Sequence, residues 1–299
     1  MENRVAAAPS PPGLEIATTV AEVRNRVQAV RRAGGKIGFV PTMGALHAGH
    51  ASLMQAAAAE CDFVIASIFV NPTQFGPQED FTRYPRTLEA DAALCQQAGA
   101  HLIFHPASPE IIYPAGFCTS VEVAGLSTMW EGKTRPGHFR GVATVVLKLF
   151  NIVAPDLAYF GQKDYQQQAI IRRMIADLEL PVTLRVCPIV REPAGLALSS
   201  RNAYLTADEH QSALALSQSL ELARQQVAGG ERHAAVISRQ MCELLAATPL
   251  VETDYATLAD PDTLEEVAEV TSKVVALVAA RVGNTRLIDN LLISPPTAT

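Results

Sequence analysis

At 299 residues the chain is long enough for one large domain or two ordinary ones, and 48% hydrophobic against 18% charged residues can build a proper core. A net charge of −6 and a pI near 5.7 argue against a general nucleic-acid binder, which shows a basic face. A small anionic ligand stays open, because it feels only local charge.

Five scattered cysteines (Cys61, Cys95, Cys118, Cys187 and Cys242) form no CxxC pair. A disulfide framework or a zinc site is therefore not expected, and a reducing cytoplasm fits. The opening "MENRVAAAPSPPG" has no apolar stretch of a secretory signal and reads as a loose tail over residues 1–13. No segment approaches about 18 uninterrupted apolar residues, so no membrane span is expected.

Val20, Val23, Val27 and Val30 recur at helical spacing, and Gly34-Gly35 stops that helix. "KIGFV" reads as a short buried strand and "ASLMQAAAAEC" as an alanine-rich helix. "DFVIASIFV" has the continuous apolar, β-branched character of an interior parallel strand. A helix in "TLEADAALCQQAG", a strand in "HLIFH", a helix in "FRGVATVVLKLFNIV", a strand in "LAYFG", a helix in "DYQQQAIIRRMIADLEL" and a strand in "VTLRVCPIV" follow. This alternation predicts an α/β fold with a doubly wound parallel sheet over residues 14–190. Beyond it the pattern changes to two helices (206–228 and 232–247) and three strands, the last two joined by a Gly283-Asn284 hairpin turn. A smaller α+β domain is therefore expected over 191–299.

Ligands of open parallel sheets collect at the carboxyl ends of strands, and "PTMGALHAGH" stands at such an end. Gly44 allows a tight turn and Gly49 a close approach. The helix that follows offers unpaired N–H groups and a positive dipole, which suit phosphate. His47 and His50, three apart, fall on about the same side of a helical turn. The stretch is neither a GxGxxG dinucleotide motif nor a GK[ST] P-loop, which speaks against a dinucleotide-dependent oxidoreductase.

Asn71 and Gln74 in "NPTQFG" are neutral amides that could orient a hydroxy acid without neutralising it. The 75–86 loop has the composition of a segment that closes over a site, or of an ordinary surface loop. Arg135, His138 and Arg140 precede a helix and read equally as anion contacts or as solvated charges. In "YFGQKDYQQQ", Lys163 would meet phosphate oxygens, Asp164 could hold magnesium, and Gln167 lies one turn beyond Lys163. Ser199, Ser200 and Arg201 in "LALSSRN" could clamp phosphates or could simply cap a helix. Their agreement points to a nucleoside triphosphate with magnesium.

Taken together, "PTMGALHAGH", "NPTQFG", "RYPRT", "RPGHFRGVATVVLKLF", "FGQKDYQQ" and "LALSSRN" resemble the pantothenate synthetase (pantoate–β-alanine ligase) family, part of the HxGH nucleotidyltransferase superfamily. The resemblance runs from about residue 16 to residue 290. It implies a Rossmann-like domain, ATP and Mg2+, and a smaller domain closing over the site. It also implies a two-step ligation of pantoate and β-alanine through pantoyl adenylate, in a cytoplasmic homodimer that binds neither nucleic acid nor membrane.

Carried over residue by residue, it assigns ATP to Met43, Gly44, Ala45, Leu46, His47, Ala48, Gly49 and His50. It extends the ATP site to Gly161, Gln162, Lys163, Asp164, Val190, Leu198, Ser199, Ser200 and Arg201. His50, His47 and Lys163 are the catalytic candidates, with His50 the proton donor. Gln74, Gln167 and Asn71 are the pantoate candidates, and Asp164, with Asp91 as a weaker one, the magnesium candidates. Gln162 stands where the family more often has Glu, and Leu198 where some relatives have Met.

Three other readings compete with this one. An adenylyltransferase that makes a dinucleotide would keep the fold but require no amine. A nucleotide-binding regulator would not need His50 and Lys163, which are both present. An oxidoreductase would need the missing glycine motif.

Overall fold

The computed structural model describes residues 13–76 and 81–296. The expected tail, apart from Gly13, and part of the 75–86 loop lie outside the described residues. The chain forms two compact units. The first comprises Met1–Val123, Arg135–Phe160 and Ile171–Cys187, and the second Ala124–Thr134, Gly161–Ile170 and Pro188–Thr299. Two short segments well before residue 190 thus cluster with the second unit.

The first unit is built on a six-stranded sheet. Its strands are β1 (Glu15–Ala17), β2 (Ile37–Thr42), β3 (Phe63–Ile68), β4 (Leu102–Phe104), β5 (Leu157–Gly161) and β6 (Thr183–Cys187). They lie in the order β1-β4-β3-β2-β5-β6. The pairs β1–β4, β4–β3, β3–β2 and β2–β5 are parallel. The chain winds outward from β2 in both directions, so the strand order reverses between β2 and β5. That is the topological switch point at which such sheets bind ligands.

Helices α1 (Val20–Arg32), α2 (Ala48–Glu60), α3 (Leu88–Gln97) and α5 (His138–Val153) belong to this unit, and α6 (Tyr165–Asp177) does so in part. Successive strand residues face opposite layers. Val40 of β2 packs with Leu53, Met54 and Ala57 of α2 and Cys95 of α3, whereas Phe39 meets Phe150 of α5 edge-on. The interior strands β2, β3, β4 and β5 are apolar because both faces are covered, whereas β1 and β6 at the edges are partly exposed.

In the second unit, β7 (Val251–Ala259), β8 (Val274–Val282) and β9 (Thr285–Ile293) make an antiparallel sheet in that order. Helices α7 (Ala207–Ala228) and α8 (Ala234–Ala246) cover it, with Val274, Ala276, Val278, Ala280 and Val282 of β8 in the shared core. Val282 pairs with Thr285, so the β8–β9 loop is the expected Gly283-Asn284 turn, and Gly283 takes φ 56° as the first turn position requires. The short α4 (Glu131–Thr134) also belongs here. Periodicity does not reveal it, nor the three-residue β1, because neither offers enough residues to show a period. No helix among the described residues is long and apolar enough to cross a membrane. All five cysteines are free thiols.

Candidate active site

The loop after β2 turns sharply. Gly44 takes φ 89° and Ala45 φ 51°, two left-handed residues in succession. What holds Ala45 in this costly conformation is Asp91 of α3. Its Oδ2 accepts from Ala45 N at 3.1 Å, and its Oδ1 from Leu46 N at 2.8 Å and from Thr87 Oγ1 at 3.2 Å. Asp91 is 2% exposed. A carboxylate expected as a magnesium contact is therefore spent on the backbone of the histidine loop, a positioning role that sequence reading missed. Gly44 is needed twice over, since a Cβ there would meet Asp91 Oδ2 at 3.1 Å and Ile68 Cγ2 at 3.2 Å.

His47 is the N-cap of α2, and His50 is its third residue. His47 Nδ1 accepts from Gly49 N at 3.1 Å, and His50 Nδ1 accepts from His47 N at 3.2 Å. This is a capping box in which two imidazoles replace the usual hydroxyl and carboxylate. Two other helices of the chain show the ordinary version, Thr19 with Glu22 on α1 and Thr206 with Glu209 on α7.

The difference is electrostatic. Glutamate at the third position compensates the helix dipole, while α2 has no acidic residue in its first turn and keeps its positive end for an outside anion. A ring that accepts at Nδ1 carries its proton on Nε2. Both imidazoles are thus hydrogen-bond donors at Nε2, with centroids 4.2 Å apart. Gly49 permits the cap, because a Cβ there would stand 2.8 Å from His47 Cε1.

Beside this loop, after β3, residues Pro72–Gln74 form a 3-10 turn capped by Asn71. Asn71 is 1% exposed and fully engaged. Its Oδ1 accepts from Thr73 N, Thr73 Oγ1 and Tyr113 Oη at 3.3, 2.9 and 2.8 Å. Its Nδ2 donates to Gln74 Oε1 at 3.1 Å and to Gly141 O at 3.2 Å. Asn71, expected as a pantoate contact, is thereby the hub of the turn that carries Gln74. Burial pushes the Tyr113 phenol up, against smaller lowering from its bonds with Thr73 and Asn71, which keeps it a donor.

The Gln74 side chain is 7% exposed, with Nε2 2.7 Å from Met43 Sδ. The Gln74 main-chain carbonyl oxygen meets His138 Nδ1 at 2.8 Å, and His138 Nε2 meets Arg135 Nη1 at 3.0 Å. A carbonyl only accepts and a guanidinium only donates, so His138 is neutral and protonated on Nδ1. Expected to make anion contacts or to carry solvated charges, Arg135 and His138 instead form a hydrogen-bonded chain to the Gln74 main chain. Arg140 is exposed. Met43, the histidine loop and Gln74 are thus drawn together in the first unit.

The second unit holds the other candidates. Lys163 Nζ lies 3.6 Å from Asp164 Oδ1, and the side chains are 20% and 51% exposed. Of three consecutive glutamines on α6, Gln166 ties down the 126–131 segment through Leu126 O and Met129 O at 2.7 Å each and Glu131 N at 3.0 Å. Gln168 is buried, and Gln167 is half-buried. Val190 and Leu198 are joined by a backbone bond of 3.0 Å at the base of a hairpin. Ser199 caps a 3-10 helix, Ser200–Tyr204, by accepting from Arg201 N at 3.2 Å. Among the described residues no group of three or more His, Cys, Asp or Glu side chains could hold a metal.

The chain is similar to known families, proteins and structures along nearly its whole length. The family model described as pantoate-β-alanine ligase matches residues 15–292. The pantothenate synthetase of Moorella thermoacetica is 53% identical over 280 residues, spanning 94% of this chain and 99% of that protein. The crystal structure of pantothenate synthetase from Thermus thermophilus superposes with a TM-score of 0.88 at 47% identity, covering 94% of this chain and 100% of that one. The pantoate-β-alanine ligase of Francisella tularensis, solved in complex with β-γ ATP and β-alanine, gives a TM-score of 0.76 at 34% identity over 94% of this chain and 98% of its own.

Proposed function

The chain belongs to the pantoate–β-alanine ligase family, and from that premise we infer that it joins pantoate to β-alanine at the expense of ATP. A pantoate carboxylate oxygen attacks the α-phosphorus, the bond to pyrophosphate breaks, and pantoyl adenylate forms. The β-alanine amine then attacks the acyl carbon, AMP leaves, the amine loses a proton, and the amide of pantothenate results. A free carboxylate is a poor electrophile, and AMP makes a good leaving group, so alignment and charge stabilisation carry the catalysis.

The observation that carries this reading is the histidine capping box. It gives two neutral imidazoles, protonated on Nε2, at a helix N-terminus with no acidic residue in its first turn. Such donors strengthen as charge develops on phosphate oxygens and cost little reorganisation. His47 and His50 fill that role as Nε2–H hydrogen-bond donors, with His50 donating toward the departing pyrophosphate. Met43 to His50 bind ATP, with Asp91 holding the loop in shape. Gln74 and Gln167 hold pantoate, and Gln74 also faces the amine.

Gly161, Gln162, Lys163 and Asp164 take the triphosphate, Val190 the adenosine, and Leu198, Ser199, Ser200 and Arg201 the phosphates. Asp164 would hold magnesium carried on the ATP phosphates, a cation that keeps several waters and needs no three-residue cage, and the ion would neutralise phosphate charge there. The family resemblance supports a cytoplasmic homodimer.

Isotope exchange between pyrophosphate and ATP, with magnesium and pantoate present and β-alanine absent, tests the reading. Exchange that requires pantoate is expected. Its absence in folded protein that binds ATP would reopen the substrate assignment.

A further inference from the structure

Two consecutive side chains of β9 hold two separate loops of the second unit. Asn290, 1% exposed, donates from Nδ2 to Gln162 O at 2.9 Å and to Lys163 O at 2.8 Å, and its Oδ1 accepts from Gln162 Nε2 at 3.2 Å. Asp289, 3% exposed, binds Arg191 bidentately at 2.6 and 2.9 Å. Arg191 also donates to Gly195 O at 3.0 Å, within the hairpin whose base joins Leu198 N to Val190 O. Asp289 Oδ1 accepts from Asn290 N at 2.8 Å, which couples the two.

The sheet does not require these residues. Ladder bonds are made by the main chain, and the residues paired with them in register, Val278 and Leu277, are apolar. An aliphatic pair would bury more apolar surface and avoid the cost of a buried carboxylate. What the polar pair does is fix the loop of Lys163 with one side chain and the Val190–Leu198 hairpin with the next.

We propose that Asp289 and Asn290 are positioning residues for ATP. Asn290 sets the loop that meets the triphosphate, and Asp289, through Arg191, sets the hairpin that meets the adenosine. The inference rests on the function proposed above, and the two can fail separately.

The test uses the full chain and reads affinity for ATP and for adenosine by calorimetry, with circular dichroism and thermal melting to establish folding. Asn290→Ala, which removes three hydrogen bonds to the Gln162–Lys163 loop, is expected to weaken ATP binding by about tenfold, with adenosine affinity retained. Asp289→Asn, which keeps the shape and removes the charge, is expected to weaken both ligands alike. A general loss of structure would move neither ratio in this pattern. Should Asn290→Ala not fold, Asn290→Ser, which keeps a donor, is read in the same way with a smaller effect. Folded variants with the wild-type ATP-to-adenosine ratio at position 290, or wild-type binding at both positions, would overturn the proposal. Wild-type protein that binds ATP but shows no pantoate-dependent exchange would instead count against the substrate assignment, leaving the affinity ratio to decide the positioning role.

Discussion

Gly141→Ala separates the placement of Gln74 from the stability of the fold. A Cβ at Gly141 would come within 2.4 Å of Thr73 O, 2.6 Å of Thr73 C and 2.8 Å of Gln74 Cα. Unstrained contacts lie near about 3.5 Å, so α5 and the 72–74 turn must part by about 1 Å. Two energy terms oppose each other. Overpacking costs about 1–3 kcal/mol, while alanine in place of glycine inside a helix gains about 1 kcal/mol. The net destabilisation is about 0–2 kcal/mol, a small shift in Tm for a chain of this size. The catalytic penalty is larger. The turn loses the bond from Asn71 Nδ2 to Gly141 O, and Gln74 moves with it. A displacement of about 1 Å costs on the order of 100-fold. In the exchange assay, kcat/KM for pantoate should fall by about that factor, while the ATP half-saturation stays near the wild-type value. Wild-type dependence on pantoate would refute the reasoning, because it would mean that the close packing of α5 does not set Gln74.

Three further outcomes follow from the same geometry. His47→Asn keeps a good N-cap residue but removes the imidazole, so Tm should hold while adenylate formation falls by about 100-fold or more; His50→Ala should lose activity to a similar extent, and a near-normal rate in either would remove that ring from the chemistry. Asp91→Ala strands the part-buried Ala45 N and Leu46 N, which costs up to about 1–3 kcal/mol for each donor left unpaired, and urea denaturation should show a lower midpoint together with a raised KM for ATP; an unchanged midpoint would show that the loop holds its own shape. Burial, and to a lesser extent the Arg26 charge, holds His101 below the ordinary imidazole value, and its Nδ1 accepts from Val64 N at 3.0 Å. The unfolded chain therefore binds the extra proton first, so this contribution is complete above an unfolded value of about 6.5 and is lost as pH falls through the folded one. The drop in Tm between about pH 7.5 and about pH 5 should be smaller in His101→Gln, and an equal drop would exclude His101 as its source.

Apart from β1, the strands were legible as apolar runs, and the long helices from their apolar spacing or composition together with a clear stop. Gly34-Gly35 ends α1, Gly99 follows α3, and Pro181 follows α6. The change of architecture near residue 190 was legible for a related reason, since alternating strands and helices gave way to consecutive helices and then a hairpin. The membership of 124–134 and 161–170 in the second unit was not. It depends on side chains such as Gln166, whose three hydrogen bonds to the 126–131 segment no local pattern encodes.

The same limit governs the site. Motif reading finds polar residues at strand ends but cannot tell a side chain turned to a ligand from one turned to the backbone. Asn71 and Gln74, three apart in one motif, looked alike; hydrogen-bond accounting separates them, because the Asn71 amide makes five bonds within the protein, whereas the Gln74 amide makes one at each end, with Asn71 and Met43. Asp91 parted from Asp164 in the same way, buried beneath the histidine loop while Asp164 is half exposed. His47 and His50 belong to both classes at once. Each spends Nδ1 on the helix and keeps a proton on Nε2, so the helix cap that orders the rings also fixes their tautomer. A hydroxyl or amide at the cap would satisfy the backbone equally well. A carboxylate at His50 would too, but would cancel the positive end of the helix. Imidazole caps, stays neutral and donates as an amide does, and adds the capacity for acid–base chemistry, a combination that shows in the bonds of the pair and not in its spacing.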